Sequence, residues 1–176
     1  MAVGDHPDLD VDRVVGVLDS HGVQYLLIGG VAARFHGSER RTEDIDVLPR
    51  DDDENLGRLA SALRDLGAFL RVGGMSDDDA RALPVVLDAQ ALRRMEVSTW
   101  RTSAGDLDVL RTLRDESGGR LVFEDLEQRA VRILVNGIDV HLAGLRDIVA
   151  SKWFAGRDKD WEALPELERL LEQDPA

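Results

Sequence analysis

Residues 28–48 read IGGVAARFHGSERRTEDIDVL and carry the strongest structural signal in the chain. The first of them ends a short apolar run, Val23 to Ile28, which is typical of a strand buried inside a sheet. Gly29-Gly30 closes that strand, and a short helix, Val31 to Phe35, is predicted to follow. Because glycine has no side chain, the backbone amides of this turn can approach a phosphate closely.

The end of the same stretch alternates acidic and apolar residues. Asp44 and Asp46 are interleaved with Ile45 and Val47, which predicts a strand with both carboxylates on one face. Two such carboxylates cannot both be buried as anions without a cation. A hard divalent metal ion would relieve their repulsion, and Asp108 is the candidate for a third ligand. The alternative is that both aspartates lie on the exposed face of an edge strand.

The tripeptide Asp-x-Asp is too frequent in this chain to be informative alone. It occurs at residues 8/10, 10/12, 44/46, 51/53, 77/79, 106/108 and 158/160. Only the pairs at 44/46 and 106/108 are interleaved with strand-forming apolar residues, so only these are expected on a rigid sheet. Asp106 competes with Asp108 for the role of third carboxylate, because both project from the same face of one strand.

The length and composition of the chain exclude several classes of protein. The chain has 176 residues, a formal net charge of −13 and no cysteine. This length suits one domain, expected over residues 1–176, with a core and metal site in 1–110 and a hairpin and C-terminal helices in 111–176. The acidic balance argues against a broad basic surface for duplex nucleic acid. Without an apolar leader or membrane-length apolar run, we expect a soluble cytoplasmic protein with no membrane partner.

The remaining periodicities predict helices that alternate with strands. Expected helices cover residues 11–18, 56–63, 145–153 and 164–171, the last with Pro165 near its first turn, and expected strands cover 69–72, 97–102, 107–110, 131–135 and 138–142. The last two strands flank Asn136-Gly137, a strong hairpin signal. The predicted fold class is therefore α/β (α+β), a mixed sheet flanked by helices.

Three blocks of sequence together resemble a known family. They are GGVAARFHGSERRTEDIDVL (29–48), GDLDVL (105–110) and DIVASKWFAGRDKDWEALPELERLL (147–171). An apolar residue with Gly-Gly, a spacer, and then Asp-apolar-Asp-apolar resembles the DNA polymerase β-like nucleotidyltransferase superfamily. The blocks are most similar to a bacterial branch that includes the nucleotidyltransferase toxins of toxin-antitoxin systems.

The resemblance implies a nucleotidyltransferase-like fold in which the glycine turn and two strands form one wall of a nucleotide cleft. It implies transfer of a nucleoside monophosphate from a nucleoside triphosphate such as ATP to an acceptor hydroxyl, with release of pyrophosphate. Asp44, Asp46 and Asp108 would be the catalytic residues and would hold Mg²⁺ or Mn²⁺. Asp108 is favoured over Asp106 because its apolar neighbours match the family pattern. Gly30 departs from that pattern, since many relatives carry a serine there.

Further residues are candidates for nucleotide binding, together with Gly29 and Gly30. Arg41 and Thr42 directly precede the carboxylates, so the arginine could reach a phosphate, although it could also be an ordinary surface residue. By resemblance, Lys152 points toward the phosphates and Asp160 helps to orient Lys152 or the helix end. The alternative for Lys152 is a lysine that extends to solvent from a partly buried helix.

The acceptor is left open between several alternatives. A toxin of the resembled branch would modify tRNA and would have a cognate antitoxin protein as a partner. A second alternative is an antibiotic-type enzyme that modifies a small molecule, and a third is a catalytically inert member that binds a nucleotide or a partner. Trp100, Trp153 and Trp161 are expected to pack in the core rather than to stack on a base.

Overall fold

The computed structural model describes residues 8–173. Its elements are α1 (Val11–Ser20), β1 (Tyr25–Ile28), α2 (Gly29–Phe35), β2 (Asp44–Pro49), α3 (Asp53–Asp65), β3 (Phe69–Leu70), α4 (Asp77–Arg81), α5 (Ala89–Arg94), β4 (Val97–Thr102), β5 (Gly105–Leu110), β6 (Leu113–Arg114), β7 (Arg120–Leu121), α6 (Phe123–Glu127), β8 (Val131–Val135), β9 (Ile138–Leu142), α7 (Leu145–Ala155) and α8 (Asp158–Gln173). None of the helices in this part of the chain has the length and apolarity needed to cross a membrane.

Seven strands form one mixed sheet, in the order β3-β4-β5-β2-β1-β9-β8. The pairs β1–β9 and β2–β5 are parallel, whereas the other neighbouring strands are antiparallel. This mixed sheet with flanking helices confirms the predicted fold class. Since β9 pairs with β1, the hairpin from the C-terminal part of the chain extends the same sheet that carries the acidic strands.

The two faces of the central strands differ as the alternating sequence predicts. Ile45 and Val47 of β2, and Leu107 of β5, are completely buried in the hydrophobic core. The aspartates that alternate with them are only partly buried and lie on the opposite face. Burial of the apolar face therefore fixes which way the carboxylates point, because a shift of one residue would exchange the two faces.

Two expectations about the C-terminal part are wrong. Helix α8 begins at Asp158 instead of near residue 164, so Pro165 lies inside the helix. Pro165 is exposed, which leaves the carbonyl that loses its hydrogen bond near solvent. Trp153 and Trp161 are 44% and 46% exposed and contact each other edge to face, with ring centroids 4.9 Å apart, whereas Trp100 is in the core as expected.

The side chain of Asn55 joins three elements at the base of the sheet. Its amide nitrogen donates to the carbonyls of Gln24 and Arg50, at 2.8 Å each, and its amide oxygen accepts from the Gln24 backbone at 2.7 Å. Asp52 caps the same helical turn by accepting from the Asn55 backbone. Asn55 is 2% exposed, so loss of these bonds is not readily replaced by water.

Replacing Asn55 should therefore lower the stability of the fold. We expect Asn55→Ala to reduce the free energy of unfolding by about 2 kcal/mol in urea titrations, because three bonds to the ends of two strands are lost. Asn55→Asp should cost more than Asn55→Ala, because a buried carboxylate oxygen would face the carbonyls of Gln24 and Arg50 in place of the donating amide nitrogen. The exposed Gln90→Ala on α5 serves as control and should change stability by less than about 0.5 kcal/mol. Equal stability of Asn55→Ala and the control would contradict this role.

Candidate active site

The turn between β1 and α2 brings the backbone of Gly29 into contact with the carboxylate of Asp46. Gly29 has φ +62°, and a Cβ built there would lie 2.0 Å from Oδ2 of Asp46. Ile28 is the register partner of Asp46 on the neighbouring strand, which explains the approach. Glycine is thus required at position 29 both by its backbone angle and by the carboxylate packed against it.

The parallel pairing of β2 and β5 aligns four carboxylates on one face. Asp44 is opposite Asp106, and Asp46 is opposite Asp108. Neighbouring strands lie about 4.8 Å apart, so these charges are close enough to repel strongly in a partly buried setting.

Asp106 is neutralised by two arginines. Nε of Arg101 donates to Asp106 Oδ1 at 2.6 Å, and Nη1 of Arg71 donates to Oδ2 at 3.0 Å. Arg101 is itself buried and also binds Asp77, at the start of α4, at 2.8 Å. The carboxylate of Asp106 is therefore engaged in structural ion pairs.

The other three carboxylates are not balanced in this way. Burial raises the pKa of Asp46 to about 7, and repulsion from Asp44 and Asp108 adds to the effect. The pKa of Asp108 is also raised, chiefly by burial and partly by Asp44, against an opposing hydrogen bond from Thr99. Within residues 8–173, Oδ1 of Asp108 is a buried oxygen without a hydrogen-bond partner.

These features fit a cation bound between the carboxylates. The part of the chain that the structure describes contains no group of three His, Cys, Asp or Glu side chains already arranged around a metal position. Mg²⁺ does not require one, since it commonly takes one or two carboxylates and completes its shell with substrate phosphates and waters. A metal site shared by Asp44, Asp46 and Asp108 remains a prediction.

A cleft of about 320 Å³ opens beside the carboxylates. Its walls are the β1–α2 turn, helices α7 and α8, and the segment of residues 37–43, which we call the strap. The polar residues that line it are Gly29, Gly30, Ser38, Arg40, Arg41, Thr42, Glu43, Asp44, Asp46, Ser151, Lys152, Arg157 and Lys159. One wall thus carries Asp44 and Asp46, whereas the strap, α7, α8 and the turn between these helices contribute five cationic side chains.

Two of these cations share one buried carboxylate. Asp160 is completely buried, and its side chain accepts from Lys152 Nζ at 3.1 Å and from Arg157 Nε at 2.6 Å. Burial alone would raise the pKa of Asp160, but the hydrogen bonds from Arg157 and Lys152 outweigh this and hold its pKa below the ordinary value. Asp160 lies behind the cleft wall and positions two cations that face the cleft.

Thr42 links the strap to the acidic strand. Its hydroxyl lies 3.0 Å from both the backbone oxygen and Oδ1 of Asp44, to either of which it can donate. A Cβ built on Gly30 would lie 2.6 Å from the same hydroxyl oxygen. The space that a side chain at residue 30 would need is therefore taken by Thr42.

The structure brings the predicted site residues to one region. Those that line the cleft are Gly29, Gly30, Arg41, Thr42, Asp44, Asp46 and Lys152. Asp108 adjoins it through its pairing with Asp46, and Asp160 through Lys152. The sequence-based site lacks three cleft-lining cations, Arg40, Arg157 and Lys159. Arg157 and Lys159 belong to the same stretch of family resemblance as Lys152, residues 147–171. Their closeness to Lys152 in sequence could have indicated that they line the cleft.

Unbalanced carboxylates should make stability depend on pH in a defined direction. Because the pKa of Asp46 is raised in the folded state, the native protein holds its proton more tightly than the unfolded chain. Stability should therefore fall as the pH rises from about 4 to about 7. Without metal at pH 8, we expect Asp46→Asn to unfold at a higher urea concentration than wild type. Its free energy of unfolding should be larger than that of wild type by roughly 1 to 3 kcal/mol. At pH 4 the difference should vanish.

Asp106 provides the matched control on the same face. Asp106→Asn should be less stable than wild type at pH 8, by about 2 kcal/mol, because it leaves the buried Arg101 without its main partner. Opposite signs for the two variants support the division into balanced and unbalanced carboxylates. Destabilisation by both substitutions at pH 8 would refute it.

Solved structures with the same architecture are nucleotidyltransferases. The lincosamide antibiotic adenylyltransferase LnuA, bound to lincomycin, is 16% identical over 93% of this chain and 99% of that chain, with a TM-score of 0.56. The antibiotic-resistance factor ANT(2'')-Ia is 17% identical over 91% of this chain and 79% of that chain, with a TM-score of 0.55. Its complex with adenylyl-2''-tobramycin gives 15% identity, 91% of each chain and a TM-score of 0.52.

At these identities the structural likeness establishes the fold. A search of curated protein sequences gives no match. The profile of the nucleotidyltransferase family of unknown function DUF6036 matches residues 9–172, which is nearly the whole chain. This match confirms the resemblance to nucleotidyltransferases. The chain therefore belongs to the DUF6036 nucleotidyltransferase family and is an enzyme of the nucleotidyltransferase class.

Proposed function

We propose that this enzyme transfers a nucleoside monophosphate from a nucleoside triphosphate to a hydroxyl of a small-molecule acceptor, with the help of a divalent metal ion. The observation that carries the proposal is the pairing of Asp46 with Asp108 next to the Gly29 turn. This pairing leaves an unbalanced acidic site at the edge of a cleft with cationic side chains on its other walls. A metal triphosphate needs both features.

Asp44, Asp46 and Asp108 would hold the metal, with Mg²⁺ or Mn²⁺ as the candidates. When bound, a divalent ion would neutralise charge on the triphosphate and polarise the reacting oxygens. Asp46 and Asp108 suit this role because burial and repulsion from neighbouring carboxylates disfavour their anionic forms in the absence of a cation. Thr42 supports the arrangement, since its hydroxyl lies within hydrogen-bond distance of Asp44.

The triphosphate would be held by backbone and by cations. The Gly29-Gly30 turn borders the cleft with its backbone, where the Gly30 amide also donates to Asp46, and Arg41 and Lys152 line the same cleft. Asp160 would fix Lys152 in this position, because its buried carboxylate accepts from the lysine. Catalysis would then consist mainly of positioning and charge neutralisation.

In the proposed step, the acceptor oxygen forms a bond to the α-phosphorus of the triphosphate. The bond from that phosphorus to the bridging oxygen of pyrophosphate breaks, and pyrophosphate leaves. The hydroxyl proton passes to Asp108, because its Oδ1 is a buried acceptor without a hydrogen-bond partner within residues 8–173. Asp106 is not available for this role because two arginines engage its carboxylate.

Three observations favour a small-molecule acceptor over tRNA. LnuA and ANT(2'')-Ia, which share the fold, are described as an antibiotic adenylyltransferase and an antibiotic-resistance factor. The net charge of −13 also opposes binding of a large polyanion. Of the cationic residues that line the cleft, Arg40, Lys152 and Arg157 already form ion pairs with carboxylates of α8. A toxin that modifies tRNA, with its antitoxin partner, is an outcome that the following test distinguishes.

Transfer should require Asp46 and Asp108 but not Asp106. We expect Asp46→Asn and Asp108→Asn to lower the transfer rate by at least about 10²-fold, and Asp106→Asn by less than about 10-fold. The measurement combines Mg²⁺ and each of the four labelled nucleoside triphosphates with tobramycin, lincomycin and other hydroxyl-rich amines, or with total RNA. Mass spectrometry then identifies the labelled product.

Each result of this assay has a defined meaning. Label on a small hydroxyl compound, lost in Asp46→Asn, supports the proposal. Label on RNA alone would replace the acceptor class and favour the toxin alternative. Triphosphate binding that is equally weak with and without Mg²⁺ in calorimetry would contradict catalysis and leave an inert binding protein.

A further inference from the structure

The strap runs along helix α8 in a regular, antiparallel manner. A Cβ built on Gly37 would lie 3.4 Å from Cδ2 of Leu170. One residue later, the Ser38 hydroxyl donates to Glu166 Oε2 at 2.9 Å, and the Glu39 backbone amide donates to Glu166 Oε1 at 2.8 Å. As the strap proceeds, its contacts therefore move toward the N-terminal end of α8.

The next contact continues the series. Arg40 donates to the side chain of Glu162 at 3.0 Å and to its backbone oxygen at 3.2 Å. Glu162 and Glu166 are four residues apart, so they lie on one face of the helix. Beyond Arg40 the strap carries Arg41 and Thr42 into the cleft that Lys159 lines from the first turn of α8.

The contacts of Glu166 differ in kind from those of Glu162. Glu162 is well exposed, and an exposed ion pair contributes little to stability. Glu166 is half-buried and accepts one bond from a backbone amide and one from Ser38, which is itself buried. The Glu39 amide, more than any other group, holds the pKa of Glu166 below its ordinary value. Glu166 is thus the firmer attachment of the strap.

We propose that Glu166 is a positioning residue for nucleotide binding: by holding Ser38 and Glu39 on α8, it places Arg41 and Thr42 in the wall of the cleft. This inference rests on the proposed function of the cleft as the nucleoside triphosphate site. Glu166 acts through the strap and not by contact, since it does not line the cleft. Replacing Glu166 should therefore lower the affinity for the nucleotide. The carboxylates on β2 and β5 that are proposed to hold the metal should keep their arrangement.

The test compares Glu166→Ala with Glu172→Ala, an exposed glutamate near the end of the same helix. Hydrogen exchange of the metal-free protein reports on attachment, and exchange at the Glu39 amide should accelerate at least about 10-fold in Glu166→Ala only. Calorimetry with Mg²⁺ and each of the four nucleoside triphosphates reports on binding, and the dissociation constant should rise about 10-fold. Mn²⁺ affinity without nucleotide should stay the same in Glu172→Ala and should fall by less than the nucleotide affinity in Glu166→Ala, because Thr42 contacts only Asp44 of the proposed ligands.

Two further variants keep the test decisive if Glu166→Ala folds poorly. Glu166→Gln retains an acceptor for the Glu39 amide and should give a smaller loss of affinity. Ser38→Ala removes the other donor to Glu166 and should raise the dissociation constant by less than Glu166→Ala, because the bond from the Glu39 amide remains.

The outcomes separate this inference from the proposed function. If wild type binds a nucleoside triphosphate and Glu166→Ala binds it equally well despite faster exchange at Glu39, the positioning role is refuted and the proposed function stands. If wild type binds no nucleoside triphosphate with Mg²⁺, the proposed function fails, and the role of Glu166 fails with it.

Discussion

Repulsion between carboxylates on two adjacent parallel strands is the constraint to which the rest of this protein responds. The register of β2 and β5 places Asp44 and Asp46 opposite Asp106 and Asp108, and burial of the apolar face prevents the strands from shifting to relieve the charge. The fold neutralises Asp106 through Arg101 and Arg71, whereas the pKa of Asp46 and that of Asp108 stay raised despite the more distant charge of Lys159. Such a concentration of like charge persists only where the surrounding structure imposes it, and it is typical of functional sites.

On the cationic side of the cleft, the side chains that would repel one another are positively charged. Lys152 and Arg157 converge on a single buried carboxylate, Asp160, which keeps two positive side chains close together without a bound anion. The acidic and cationic sides of the cleft therefore differ in how their charge is balanced. Lys152 and Arg157 are held by an internal counter-ion, whereas the carboxylates would receive theirs only from the metal ion of the proposed function.

Most of the fold could be predicted from local sequence patterns. The alternation around Asp44 and Asp46, the Gly29-Gly30 turn and the Asn136-Gly137 hairpin each identify an element by a short-range rule, and the structure contains all of them. The start of α8 could not be placed, because Pro165 suggested a helix beginning near it, whereas the helix begins seven residues earlier. The first turn of α8 contains Asp160, whose ion pair with Lys152 of α7 was indicated by the family resemblance and not by helical periodicity.

In the candidate site, too, local sequence patterns predict some residues and miss those that depend on distant contacts. Asp44, Asp46 and the glycines were identifiable because they are close in sequence and follow strand periodicity. Neither the neutralisation of Asp106 by Arg71 and Arg101 nor the contact of the strap with Glu166 could be predicted. Glu166 and Ser38 are 128 residues apart, so only the folded chain brings them together. Spacing indicates which residues can share a strand or a helix face, but not which distant side chains will meet.

The distribution of the site along the chain affects how activity arises during synthesis. The acidic strands are complete once residue 110 has been made, but Lys152, Arg157 and Lys159 follow in the last two helices. The parallel pairing of β1 with β9 also joins distant parts of the chain, and such long-range pairing is slow. A chain still on the ribosome thus has the carboxylates without the cationic wall. Catalytic competence should appear in one step, after the C-terminal helices emerge from the ribosome and dock.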